Sequence, residues 1–273
     1  MTTSSILWFT DVGCTDVARA GGKGASLAAM TAAGLRVPSG FALAAGVLEQ
    51  AADAERLRAL AGAGDHEAAQ ALVREASPPR PDIESAYERL GGGLVAVRSS
   101  ACAEDSEAAS FAGQQETYLN VLGAAEVSRH VVECWASFFS ERALFYRAKK
   151  GSLDDLRMAV VVQRMVEPDK SGVLFTVDPV QRRRDRMLVE AVFGLGEQVV
   201  SGHVTPDHYV VDRAGQVVRE QLVHGGVLDA DELAALAGLG RRLEEQFGSP
   251  QDVEWAIEGG EVYLLQSRPV TAL

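Results

Sequence analysis

The sequence has little cysteine, few basic residues relative to acidic ones, and no long apolar run. Its three cysteines, Cys14, Cys102 and Cys134, are scattered without metal-ligand spacing, which argues against a disulfide framework or a zinc site and is read as reduced thiols in a cytoplasmic protein. No apolar stretch approaches the roughly 20 residues that cross a bilayer, and the start Met1-Thr2-Thr3-Ser4-Ser5-Ile6-Leu7-Trp8 lacks the basic region of a secretory signal. No membrane contact and no secretion are expected. Lys and Arg number 26 against 38 Asp and Glu, leaving a net charge of −12. That balance argues against a duplex nucleic-acid surface but permits a local basic pocket for phosphate. There is no internal repeat, and none of the five histidines stands in a spacing that marks a catalytic base or a metal ligand.

With 273 residues and 47% hydrophobic content, the chain can bury one large core or two lobes. Punctuation by Gly and Pro sorts it into segments. A short strand over 6–9 precedes a helix opened by Ala20-Gly21-Gly22-Lys23-Gly24-Ala25 and stopped near Gly34. Residues 46–90, rich in Ala, Leu, Glu and Arg and broken by Gly62, Gly64 and Ser77-Pro78-Pro79, predict two or three short helices. Strands are predicted over 94–97, 158–165, 171–178, 187–192 and 208–211, with a long amphipathic helix over 126–150 and another over 229–247. Hairpins outnumber regular βαβ units. The class expected is therefore α+β.

The last segment carries the clearest chemical pattern. Two runs rich in β-branched and aromatic residues flank Gly259-Gly260, so a tight hairpin is expected. A two-residue turn would set Glu254 opposite Leu265, whereas a three-residue turn over 259–261 sets Glu254 opposite Gln266 and Asp252 opposite Arg268. The second register is favoured because it collects Val253, Trp255, Ile257, Tyr263 and Leu265 on one face and Asp252, Glu254, Gln266 and Arg268 on the other. A carboxylate, an amide oxygen and a guanidinium together suit a hard cation and the phosphates it bridges. A solvated edge hairpin is the plain alternative.

Four further segments are candidates. Gly21-Gly22-Lys23-Gly24 offers backbone N–H groups and one ammonium to an anion, yet it is not a P-loop, since Gly24 follows the lysine where Ser or Thr is required. Taken alone, a flexible helix start is the favoured reading of this segment over a ligand loop. Arg98-Ser99-Ser100 ends an apolar strand and is followed by the small-residue loop Ser110-Phe111-Ala112-Gly113 leading to Thr117, an arrangement suited to phosphate, with Arg capping a turn as the alternative. Gln163 ends a buried strand, where its amide could read an adenine edge or be a satisfied core group, and Met165 beside it could be core filler. Glu190 to Glu197 and Val199 to Asp207 are Gly-punctuated turns carrying carboxylates, with His203 and His208 nearby.

Taken together, Gly-Gly-Lys23-Gly, Val-Arg98-Ser-Ser-Ala, Ser-Phe-Ala-Gly113-Gln-Gln-Glu-Thr117, Val-Gln163-Arg-Met, Phe-Thr-Val-Asp178-Pro, Phe-Gly-Leu-Gly-Glu197 and Asp252-Val-Glu254-Trp with Leu-Gln266-Ser-Arg268-Pro occur in one order. This set resembles the nucleotide-binding domain of the phosphoenolpyruvate synthase, pyruvate phosphate dikinase and rifampin phosphotransferase family, from about Gly21 to Pro269. The resemblance implies an ATP-grasp fold, two α+β lobes with mixed or antiparallel sheets holding ATP and Mg²⁺ between them. The lobes expected are 1–165, including the helical insert 46–90, and 166–273, including the hairpin 252–268. It further implies that Lys23, Arg98 and Arg268 hold the phosphates, that Gly113 and Thr117 line a phosphate loop, and that Gln163, Met165 and Val166 border the nucleotide, Gln163 by the adenine. Glu254 and Gln266 would ligate Mg²⁺.

Two departures from the family pattern matter. No segment resembles the Gly-rich stretch that bears the family's phosphorylated His, and the span between Ala45 and Gly92 is shorter than expected. The chain is accordingly expected to be a phosphotransferase component that splits ATP toward AMP and phosphate and passes the β-phosphoryl group to a His on a separate carrier protein. A kinase acting directly on a small-molecule acceptor and a non-catalytic nucleotide-binding subunit are the alternatives.

Overall fold

The computed structural model describes residues 4–102, 116–195 and 204–270. It is α+β, with antiparallel pairing throughout two sheets. The chain divides into two compact units, Met1–Ala29 with Ser39–Met165, and Met30–Pro38 with Val166–Leu273. No helix among the described residues is long and apolar enough to cross a membrane.

The first unit is built on five strands, β1 (Ile6–Trp8), β2 (Gly40–Leu43), β3 (Leu94–Ala101), β4 (Thr117–Leu122) and β5 (Met158–Arg164), in the order β1-β2-β5-β3-β4. Helix α1 runs over Val17–Ala32, and α2 (Val47–Ala51), α3 (Ala54–Ala63), α4 (His66–Arg74) and α5 (Arg80–Arg89) make four short helices where two or three were expected. One sheet face supplies Phe41, Leu43, Val95, Val97, Val160 and Val162 to a core completed by Leu48, Leu57, Ile83 and Trp135 from helices. The alternate residues Ala42 and Val161 face α1 at Gly24, where an added Cβ would lie 3.4 and 3.6 Å from them. Covered on both sides, β5 is buried from Met158 to Gln163, which is why it reads as an unbroken apolar run.

The single helix expected over 126–150 is two helices, α6 (Ala124–Ser137) and α7 (Glu141–Lys150). Ser140 starts a new helix by accepting a hydrogen bond from the Ala143 N–H at 3.3 Å. Arg147 then folds back beneath the break. It is buried and donates to the carbonyls of Phe138, Ser152, Leu153 and Asp155. An amphipathic pattern continuing through Phe138-Phe139 hid the break from a periodicity argument.

The second unit contains β6 (Lys170–Phe175), β7 (Arg186–Phe193), β8 (Asp207–Asp212), β9 (Val217–Gln221), β10 (Gln251–Glu258) and β11 (Glu261–Pro269), ordered β11-β10-β6-β7-β8-β9. Helix α8 (Ala230–Phe247) buries Leu233, Leu236, Ala237 and Leu243. Its start is fixed by a capping box, with Asp229 and Glu232 each accepting the other's backbone N–H. Three strands were not foreseen from the sequence: β2, β4 and β9. All five residues of β9 are exposed, so it lacks the alternation that reveals a half-buried strand.

Asp207, fully buried at the start of β8, fixes the segment that leads to α8. Its Oδ1 accepts the N–H groups of Val223 and His224, both at 2.6 Å, and its Oδ2 those of Gly226 at 3.0 Å and Val227 at 2.9 Å. Burial alone would raise its pKa, but these four donors outweigh burial and hold it below the ordinary 3.8. The sign follows directly. The charged form favours the fold above pH 3.8, and this contribution is lost as pH falls through the depressed folded value. Asp207→Ala, which strands these donors, should cost roughly 3 kcal/mol or more in urea denaturation at neutral pH. A wild-type midpoint in the variant would show that the clamp is dispensable.

Candidate functional site

The first unit gathers its polar candidates on the α1 face of its sheet. Strand register places Leu7, Ala42, Val161, Arg98 and Thr117 in one transverse row, with Gly40, Gln163 and Ala96 in the next. Arg98 and Gln163 are therefore neighbours on one face, and both are buried. Arg98 Nη1 donates to Gln163 Oε1 at 3.4 Å.

Helix α1 reaches this face through the glycine segment. Gly21 has φ 69° and ψ 173°, a non-helical break inside the helix, and a Cβ there would stand 2.2 Å from the Ser100 carbonyl oxygen. Only glycine fits both demands. The Ser100 hydroxyl donates to the Ala20 carbonyl at 2.9 Å and accepts the Gly24 N–H at 3.2 Å, so one backbone donor of the glycine segment is already engaged by the strand. Lys23 Nζ donates to the Ser99 carbonyl at 3.0 Å, which brings its ammonium to the residue next to Arg98. Lys23, Arg98, Gln163 and Thr117 are thus assembled by α1, β3, β5 and β4. Met165 and Val166 follow β5 and stand on opposite sides of the unit boundary. Gly113, like Glu197 and His203, lies outside the described residues.

In the second unit the hairpin pairs Glu254 with Gln266 and Asp252 with Arg268, as expected, but not by the expected turn. Glu258 faces Glu261, so the turn has two residues, Gly259 at φ 58° and Gly260 at φ 80°, the paired positive values of a type I′ turn. A β-bulge supplies the missing residue. Trp255 faces Leu264 while Glu254 faces Gln266, leaving Leu265 as the extra residue on β11. The apolar face is corrected accordingly: buried Leu264, not Leu265 or Tyr263, stands opposite Trp255. The bulge satisfies both signals at once, the Gly259-Gly260 turn and the polar pairing of Glu254 with Gln266.

Register extends this row across the sheet. Gln266 faces Glu254, Glu254 faces Val173, Val173 faces Glu190 and Glu190 faces His208. Arg268, Asp252, Phe175 and Leu188 form the next row on the same face. Arg268 Nε and Nη2 both reach Asp252 Oδ2, at 2.9 and 2.8 Å. Burial raises the pKa of Asp252, Arg268 opposes this, and Glu254 adds to it. Glu190 and His208 are site-face residues that the sequence reading placed in a Gly-punctuated region without a role. Burial raises the Glu190 pKa, His208 opposes the rise from 3.2 Å, and Asp252 reinforces it. The signal that would have found Glu190 is parity: it lies an even number of residues from Leu188 on a strand whose partners carry the acids.

The chain matches the family model described as "Pyruvate phosphate dikinase, AMP/ATP-binding domain" over residues 17–226 and 216–273. It belongs to that family. A probable phosphoenolpyruvate synthase of Archaeoglobus fulgidus is 42% identical, aligned over 98% of this chain and 42% of its own length. A rifampicin phosphotransferase of a Streptomyces species is likewise 42% identical, over 96% of this chain and 35% of that protein. The phosphoenolpyruvate synthase of Pyrococcus furiosus is 35% identical, over 98% and 44%. The chain spans less than half the length of these curated relatives. With the family established, the two-sheet α+β architecture is an ATP-grasp fold.

Replacing Arg268 with Gln should raise the pKa of Asp252 further, because the guanidinium is the group that opposes burial there. Carboxyl NMR titration would read the change. An Asp252 titration that does not move would mean that the ion pair is too solvent-screened to matter.

Proposed function

We propose that this chain is the ATP-handling component of a dikinase-type phosphotransferase, in which Lys23 and Arg98 hold phosphates, Glu254 and Gln266 hold Mg²⁺, and Arg268 neutralises the transferred group. Gly113 and Thr117 complete the phosphate loop in this reading, and Met165 and Val166 border the nucleotide. The observation that carries the proposal is the facing of Glu254 and Gln266 on the sheet row beside Arg268, in a chain of the AMP/ATP-binding family. Phosphoryl transfer asks a protein for positioning and charge neutralisation more than for covalent chemistry, and these residue types supply both.

The donor set fits magnesium. Among the described residues no group of three or more His, Cys, Asp and Glu could hold a metal ion. Mg²⁺ uses one or two protein oxygens and takes its remaining ligands from water and substrate phosphates, as a carboxylate paired with an amide oxygen would allow. When bound it would bridge and neutralise phosphate oxygens. The protein residues would orient the nucleotide, with Lys23 acting as a point charge and the Arg forks as planar donors.

By this reading ATP is converted to AMP and phosphate, with the β-phosphoryl group passing to a histidine on a carrier domain. Direct phosphorylation of a small molecule, without a carrier, is the second reading. Chromatography of nucleotides after incubation with Mg²⁺-ATP and a phosphohistidine carrier domain separates them: AMP with acid-labile phosphate on the carrier supports the first, ADP with phosphorylated small molecule the second.

Glu254→Ala should lower turnover at least about a hundredfold and leave the melting temperature within a few degrees of wild type, since Glu254 is only half-buried. Lys23→Ala and Arg98→Ala should each cost more in kcat/KM than in stability. Undiminished turnover in any of the three removes that residue from the site.

A further inference from the structure

The family resemblance places Gln163 beside adenine, but its hydrogen bonding points to the phosphates. A guanidinium has donors only, so the amide oxygen is the atom that faces Arg98 Nη1, at 3.4 Å, and Nε2 is turned away from it. Gln163 is 2% exposed, and its Nε2 has no hydrogen-bond partner among the described residues. The residues beside it in the row, Gly40 and Ala96, carry no side chain beyond Cβ and cannot supply one. An unpaired buried amide donor costs about 1–3 kcal/mol, so this atom is placed for an acceptor that a ligand brings.

Adenine recognition by a glutamine uses its oxygen and nitrogen together, one accepting and one donating. Here the oxygen already serves Arg98. What is left is a single donor beside a guanidinium, a pair that suits an oxyanion, which accepts only. We propose that Gln163 is a phosphate-side residue: its oxygen positions the Arg98 guanidinium, its Nε2 donates to the same anion, and it takes no part in reading the base. The proposal rests on the ATP-binding reading above and assigns Gln163 to a different portion of the nucleotide.

Isothermal titration of the full chain with ATP and with inorganic tripolyphosphate, each with Mg²⁺, tests this. Gln163→Leu should weaken both ligands by the same factor, roughly tenfold. In an Arg98→Met background, adding Gln163→Leu should weaken binding by less than it does in the wild type, because the positioning contribution is gone and only the direct Nε2 donation is left to lose. Gln163→Glu keeps the acceptor for Arg98 and replaces the donor, so it too should weaken both ligands. It serves as the test if the Leu variant fails to fold. Weakened ATP binding with unchanged tripolyphosphate binding, or full additivity with Arg98→Met, would overturn the assignment. Wild-type protein that binds ATP but not tripolyphosphate would overturn it as well. Wild-type protein that binds neither would instead refute the ATP-binding reading on which it rests.

Discussion

The arrangement of the second unit's polar face depends on one irregularity, the extra residue at Leu265. A regular two-residue hairpin would carry the alternation of β11 without interruption from Glu261 onward, placing Leu265 against Glu254 and turning Gln266 to the apolar side. The bulge lets both halves of the hairpin satisfy their own chemistry. Beside the turn, Leu264 seals Trp255 within the core, and beyond the bulge Gln266 and Arg268 join Glu254 and Asp252. Because β10 also pairs with β6, the same register sets Glu254 in line with Val173, Glu190 and His208. Moving the bulge by one position would separate the amide oxygen from the carboxylate without altering a single residue type.

The first unit solves a different problem, which is how to bring a helix onto a sheet face that carries the buried side chains of Arg98 and Gln163. Arg98 and Gln163 lie under α1, and the close approach of that helix is possible only because Gly21 abandons helical geometry against the Ser100 carbonyl. The Ser100 hydroxyl then ties both sides of the break to the strand. The strained glycine is therefore held in place by the fold itself.

Much of this was legible in the sequence because it was written in residue type and order. The α+β class, the buried strand β5, the helix beginning near Asp229 and the facing of Glu254 with Gln266 all follow from periodicity, punctuation and polarity. What escaped notice involved contacts that local pattern does not encode. Strand β9 is exposed throughout, and α6 and α7 part at Ser140 within a continuous amphipathic pattern. The two turn lengths considered for the final hairpin missed the combination with a bulge. Arginine shows the limit most plainly. Arg147, buried over the Phe138 ring and donating to four carbonyls, is structural, and burial lowers its pKa to about 10. Arg98, equally buried, has a neutral amide beside it. Nothing in the sequence around either arginine foretells these partners.

Strand order has a consequence for biosynthesis. Strand β6 sits inside its sheet, bonded on one side to β7, which follows it directly, and on the other to β10, which begins only at Gln251. As the chain leaves the ribosome, β6 to β9 can pair as a meander while the other edge of β6, with Val173 and Leu174, stays open to any extended segment nearby. The closing hairpin is therefore both the bearer of the Glu254 row and the strand pair that removes a nascent sticky edge. Translation that pauses before Gln251 would prolong the interval in which that edge is available for misassembly.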